Sequence, residues 1–139
     1  MTLHVEVLMP DRALWSGEAD MVIAKTLDGD IGVQAGHSPV FGILSPGSLV
    51  RIPAAAVEGS EEASGEEVKI AVRDGFLSVT GDRVSVLASV GQRSGEVDVA
   101  AVRADLESAE SDAGSASAAD ESPEVRYARA QLRAAGEQA

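Results

Sequence analysis

Val68-Lys69-Ile70-Ala71-Val72, Arg73-Asp74-Gly75, Phe76-Leu77-Ser78-Val79-Thr80, Gly81-Asp82-Arg83 and Val84-Ser85-Val86-Leu87-Ala88 follow one another without a break. Apolar and polar residues alternate within the long runs, and Asp and Gly stand between them. A period of two places one set of side chains on a buried face, the pattern of half-buried strands joined by tight turns. Asp74-Gly75 is a favoured reversal because both residues tolerate positive φ. The reading is three strands, with the chain turning at Asp74-Gly75 and again at Gly81-Asp82-Arg83.

Upstream the pattern repeats. Leu3, Val5 and Val7 alternate with His4 and Glu6, and Met9-Pro10-Asp11-Arg12 turns the chain before Ala13-Leu14-Trp15. The run Met21 to Thr26 ends at Asp28-Gly29, a hairpin pair, and Ile31 to Val33 is a short return. Val40 to Leu44 and Ser48 to Ile52 flank Ser45-Pro46-Gly47, where Pro46 suits the second position of a turn. About eight strands between Leu3 and Ala88, with no helical pattern among them, predict an antiparallel β-sandwich or flattened barrel. Residues 53–67 hold five glutamates among Gly, Ser and Ala, too polar to order on their own, and read as a hairpin tip without assigned function.

After Ala88 the period changes. Val99, Val102, Leu106 and Ala109 recur at helical spacing, and Asp98 stands where an N-cap accepts orphan amide hydrogens, so a helix is predicted from Val99 to Ser111. Residues 112–121 lack a large apolar side chain and read as a flexible linker. Ser122-Pro123-Glu124 restarts a helix, with Ser as cap and Pro at the first helical position, and Gly136 marks its end. On this second helix Arg126, Arg129 and Arg133 fall within about 60° of one another, opposite Val125, Ala128, Leu132 and Ala135. The division is therefore a sandwich over residues 1–88 and a two-helix tail over 89–139.

Composition narrows the function. The formal charge is -12, with 23 acids against 11 bases, which repels phosphate backbones and argues against nucleic acid as a partner. Cysteine is absent, removing thiol nucleophiles and cysteine zinc sites together. His4 and His37 stand in unrelated contexts, Asp28-Gly29-Asp30 lacks the later acids of a calcium loop, and no Walker lysine sequence appears. Hydrolytic or transfer chemistry thus has no nucleophile pair, metal cluster or phosphate cradle to work with. Neither a signal peptide nor an apolar run near the ~20 residues of a membrane span is present, so bilayer insertion is not expected.

The segment Gly29-Asp30-Ile31-Gly32-Val33-Gln34-Ala35-Gly36-His37-Ser38-Pro39-Val40 closely resembles the Gly-Glu-x-Gly-x-x-x-Gly-His-x-Pro-Leu motif of the epsilon subunit of bacterial F-type ATP synthases. Val5-Glu6-Val7 with Pro10, Trp15-Ser16-Gly17, Pro46 to Ile52, Gly75 to Val79 and Val84 to Ala88 fall in that family's order and spacing, so the resemblance spans essentially the whole chain. It implies a non-catalytic rotor subunit, peripheral on the cytoplasmic face of the bacterial cell membrane, held by the gamma subunit and the ring of c subunits. Asp30, Gly36, His37 and Ser38 become candidate contacts with that ring, although Ala35 replaces a proline common in the family. The tail would reach the catalytic beta and alpha subunits when extended and hold back ATP hydrolysis, with Arg126, Arg129 and Arg133 as its regulatory surface. Some members bind ATP through Ile/Leu-Asp-x-x-Arg-Ala; here Val97-Asp98-Val99-Ala100-Ala101-Val102 keeps the aspartate and loses the arginine, so no cofactor is expected. The alternative is a stand-alone β-sandwich binding a small ligand.

Overall fold

Alternation in the first two thirds of the chain becomes nine strands in a computed structural model that describes residues 3–53, 56–57, 67–113 and 123–137. They are β1 (Leu3–Leu8), β2 (Ala13–Ala19), β3 (Met21–Thr26), β4 (Gly29–Gln34), β5 (Val40–Ile43), β6 (Ser48–Ile52), β7 (Ala56–Val57), β8 (Val68–Thr80) and β9 (Arg83–Arg93). Hydrogen bonding orders them β4-β3-β6-β8-β9-β1-β2-β7, with β5 paired to β8 off this path. The terminal strands of the path do not pair with each other, so the sheet folds over into a sandwich and does not close into a barrel. Val22, Ala24, Val33 and Val50 from one part of the path share a single buried cluster with Leu3, Val5, Val7, Val84 and Val86 from the other.

The expected reversal at Asp74-Gly75 does not occur. β8 runs through it, and its register against β9 shifts between Val72 and Asp74 and between Asp74 and Gly75. The extra chain is absorbed as a bulge, which bends a strand without ending it. Gly75 allows this because a Cβ there would collide with the Leu87 carbonyl oxygen. Residues before the bulge pair with β6 and those after it with β5, so one strand serves both partners. β9 likewise runs on past Ala88 to Arg93, where Gly91 and Gln92 remain paired with Val72 and Ala71.

Two further differences are local. The β3–β4 hairpin closes at Thr26 opposite Gly29, so its loop is Leu27-Asp28, one residue earlier than expected; the Thr26 hydroxyl caps it by donating to the Gly29 carbonyl at 2.8 Å. β1 pairs antiparallel with β2 but parallel with β9, His4 opposite Arg83. Parallel neighbours cannot be joined by a tight turn and need a long crossover, which the chain from β2 to β8 supplies here. Within the glutamate-rich segment, Ala56 and Val57 pair with Glu18 and Gly17 of β2; residues 54–55 and 58–66 lie outside the described residues.

A 3-10 turn over Ser94–Glu96 leads into α1 (Val99–Ala113). Asp98 caps it, its Oδ1 accepting from the Ala101 amide at 3.1 Å. The helix continues past Ser111 to Ala113; residues 114–122, with most of the expected linker and the Ser122 cap, lie outside the described residues. α2 (Pro123–Ala134) ends as expected at Gly136, where the Gly136 amide donates to Arg133 and the Glu137 amide to Leu132, a paired C-terminal cap. Its apolar surface is wider than the single stripe expected. Ala128 and Leu132 bury against Val102 of α1, while Ala130 and Ala134 bury against Ala71 of β8, with Leu49 and Tyr127 packed beside them. Alanine on both sides lets the helix lie close to the sheet and to α1 together.

Candidate interaction surfaces

Asp30 and the Gly36-His37-Ser38 loop sit at opposite ends of β4. Asp30 is exposed and faces Lys25 across the hairpin, whereas the loop follows Gln34. At ~3.3 Å per residue the strand separates Asp30 from Gln34 by roughly 13 Å. The loop is braced from the other end: the Gly36 amide donates to Asp82 Oδ1 at 3.0 Å, and the His37 amide to the Gln34 carbonyl at 3.1 Å. The His37 ring donates from Nδ1 to the Ser38 carbonyl at 2.7 Å, so in the neutral ring Nε2 is left as the acceptor. Gly36 and Ser38 are exposed. The structure thus brings Gly36, His37 and Ser38 together and sets Asp30 apart from them.

Asp30 instead lines a groove of about 430 Å³ with Arg126, Arg129 and Arg133. Lys25 and Arg51 line it as well. Arg51 holds Glu67 with two parallel bonds, Nε to Oε1 and Nη2 to Oε2, each 2.9 Å. This fork keeps the Glu67 carboxyl more acidic than usual. The three arginines therefore share one face of α2, as the helical spacing requires, and that face is turned toward β3 and β6. Each of them is already engaged in an interaction of its own. Arg126 and Arg129 are half-buried there and Arg133 is exposed.

A third surface went unread in the sequence. Ile43 lies opposite Phe76, Phe76 opposite Leu87, and Leu87 opposite Leu8, one apolar row crossing β5, β8, β9 and β1. Ile43 is 55% exposed, Phe76 36% and Leu87 38%, and Phe41, 65% exposed, packs on Phe76 with ring centroids 5.2 Å apart. Beside the row, Met9 and Pro10 join Leu8, Phe76 and Leu87 around an apolar groove of about 440 Å³. The signal lay in the places where alternation breaks, Phe76-Leu77 and Val86-Leu87: the second residue of the first pair and the first of the second are core, and their neighbours face out. Contiguous exposed apolar surface of this kind marks an interaction site.

Among the described residues no group of acids and histidines is placed to hold a metal ion, and no helix is long and apolar enough to cross a membrane.

Residues 2–94 match the family model of the ATP synthase delta/epsilon chain β-sandwich domain. The chain is 48% identical over 134 residues to the ATP synthase epsilon chain of Thermobifida fusca, covering 96% of this chain and 91% of that one. It is 42% identical over 114 residues to the epsilon chain of Streptomyces griseus, covering 82% and 85%. Among solved structures, a chain in the Euglena gracilis mitochondrial ATP synthase, OSCP/F1/c-ring, has the same fold with a TM-score of 0.68 at 18% identity, covering 97% of this chain and 79% of that chain. With the sandwich matched along its length and the tail carried with it in the first of these relatives, the chain belongs to the family of bacterial ATP synthase epsilon chains.

Proposed function

We propose that this chain is a non-catalytic subunit of the central rotor, joining the gamma subunit and the c-subunit ring on the cytoplasmic face of the cell membrane. The apolar row of Ile43, Phe76, Leu87 and Leu8, with Phe41 beside it, carries this reading, because an otherwise highly acidic chain keeps it uncovered across four strands. Its occupant is the gamma subunit. The side chains of the row are already partly buried, so covering what remains exposed of each contributes only a part of the ~1.5 to 3 kcal/mol that full burial from water is worth. The fold shared with a chain from a c-ring assembly supports the same placement. Gly36, His37 and Ser38, at the end of the sandwich away from α2's arginines, meet the ring, and Asp30 does not take part. The tail regulates: Arg126, Arg129 and Arg133 engage the catalytic beta and alpha subunits after α2 leaves the groove. Family membership sets aside the stand-alone ligand-binding sandwich.

The test replaces Ile43 and Leu87 with Asp together. Both side chains point out of the core, so the thermal transition of the isolated chain should hold while co-purification with the gamma subunit is lost. Retention of gamma by a folded double variant would sink the proposal.

A further inference from the structure

The turn between β5 and β6 does more than reverse the chain. Gly47 has a φ of +63°, which favours glycine but which Asn also adopts. Its second constraint is unrelated to the turn. A Cβ at Gly47 would collide with the carbonyl carbon and Cβ of Arg126 and lie 2.7 Å from the Arg126 carbonyl oxygen, so the backbone of α2 rests directly on the bare Cα. Arg73 of β8 braces both sides of this contact. Its carbonyl accepts from the Gly47 amide at 2.9 Å, and its Nη2 donates to Glu124 Oε1, in the first turn of α2, at 3.0 Å. Further along, Ala130 and Ala71 are fully buried in one cluster, and Gln131 Nε2 donates to Gln92 Oε1 at 2.6 Å.

We infer that Gly47 and Ala130 form a steric seat for α2, and that their lack of side-chain bulk decides whether the tail docks on the sandwich. Docking by close approach is intolerant of added atoms, since a packed contact does not deform gradually. Side-chain pairs at the surface could be exchanged with little effect, but a methyl group at Gly47 lifts the helix from its whole bearing surface. The regulatory consequence, a tail shifted toward its extended position, rests on the rotor-subunit reading above; the docking itself does not.

Hydrogen–deuterium exchange on the full chain tests the seat directly. Gly47→Ala is compared with Gly81→Ala, because Gly81 has nearly the same φ, +61°, and open space around its Cβ, so both variants carry the same backbone strain and one carries the collision. The amides of α2 should exchange about tenfold faster in Gly47→Ala and within about twofold of the parent in Gly81→Ala, with β8 and β9 protected in both. Equal α2 exchange in the two variants would overturn the inference. If Gly47→Ala does not fold, Ala130→Leu adds bulk from the helix side and leaves the sandwich sequence untouched; unchanged α2 protection there would overturn it equally. Undocked α2 with normal ATP hydrolysis by the assembled synthase would leave the seat standing and refute the regulatory role given to the tail.

Discussion

At Glu96 one residue ties three parts of the chain together. Its Oε2 accepts from Arg12 Nη1 at 2.7 Å, its Oε1 from the Arg93 amide at 3.1 Å, and its carbonyl from Gln92 Nε2 at 3.1 Å, which fixes the turn from which the tail departs. The Arg12 bond, foremost, holds the Glu96 carboxyl below its ordinary value of 4.5, against a smaller opposing effect of burial. A carboxyl made more acidic by folding stabilises the fold at pH above its ordinary value, and that stabilisation disappears as pH falls through the lowered one. Glu96→Gln should therefore melt below the parent at pH 7 and converge with it in acid; parallel melting curves at every pH would show the pair to be idle. The second residue-scale prediction concerns Ala101. Asp98, which the ATP motif retains, is already committed to capping the Ala101 amide, and the motif's arginine is missing. Losing a charge-assisted bond removes ~1.5 to 3 kcal/mol, roughly one to two decades of affinity. Calorimetry should find no micromolar binding of ATP. The Asp98 cap was legible because it is local; the Arg12 to Glu96 bridge was not, since nothing near either residue in the sequence indicates a partner so far away.

As an element, α2 shows where periodicity runs out. Spacing located the arginine face and the Val125, Ala128, Leu132 face correctly, but Ala130 and Ala134 were too small to register as a second buried face, and only the approach of β8 explains them. Tyr127 packs at that seam, and burial is the first cause of its raised pKa. A phenol harder to ionise when folded leaves stability intact below its ordinary value near 10 and lowers it as pH rises through the folded one. Tyr127 is the single tyrosine, so tyrosinate absorbance should titrate later in the intact chain than in Tyr127-containing peptide. Coincident titrations would mean that the seam is open to water. The arginine face is tested by replacing Arg126, Arg129 and Arg133 with Ala, which preserves helix propensity. With ~0 to 1 kcal/mol per exposed pair, the assembled synthase should hydrolyse ATP a few-fold faster at low salt, and screening should narrow the gap as salt rises. Equal rates at all salt concentrations would leave these arginines as part of the groove alone.

For the whole molecule, sandwich plus helical tail was readable because alternation and helical spacing each persist over long stretches of sequence. Pairing was less so: a bulge and a reversal at Asp74-Gly75 look alike in sequence, since both call for Asp and Gly, and the difference lies in whether Phe76 continues along β9. The candidate ring contact was found by its motif, whereas the apolar row was hidden until pairing aligned residues from four strands. Replacing His37 and Ser38 with Asp should leave the melting transition near that of the parent, because the Gly36 and His37 amides still brace the loop and the only bond given up is the local one from the His37 ring to the Ser38 carbonyl. Proton pumping per ATP hydrolysed should fall, with roughly tenfold weaker hold on the ring for ~1.4 kcal/mol lost; full coupling in the double variant would exclude the loop. The placement of β1 between β2 and β9 also sets an order of events at the ribosome. One edge of β1 finds β2 almost at once, but its other edge waits until Arg83 to Leu87 have emerged. Such distant pairing slows folding, so β1 stays half-paired until β9 has been made, and the sandwich on which α2 docks completes only after nearly all of its own strands have been synthesised.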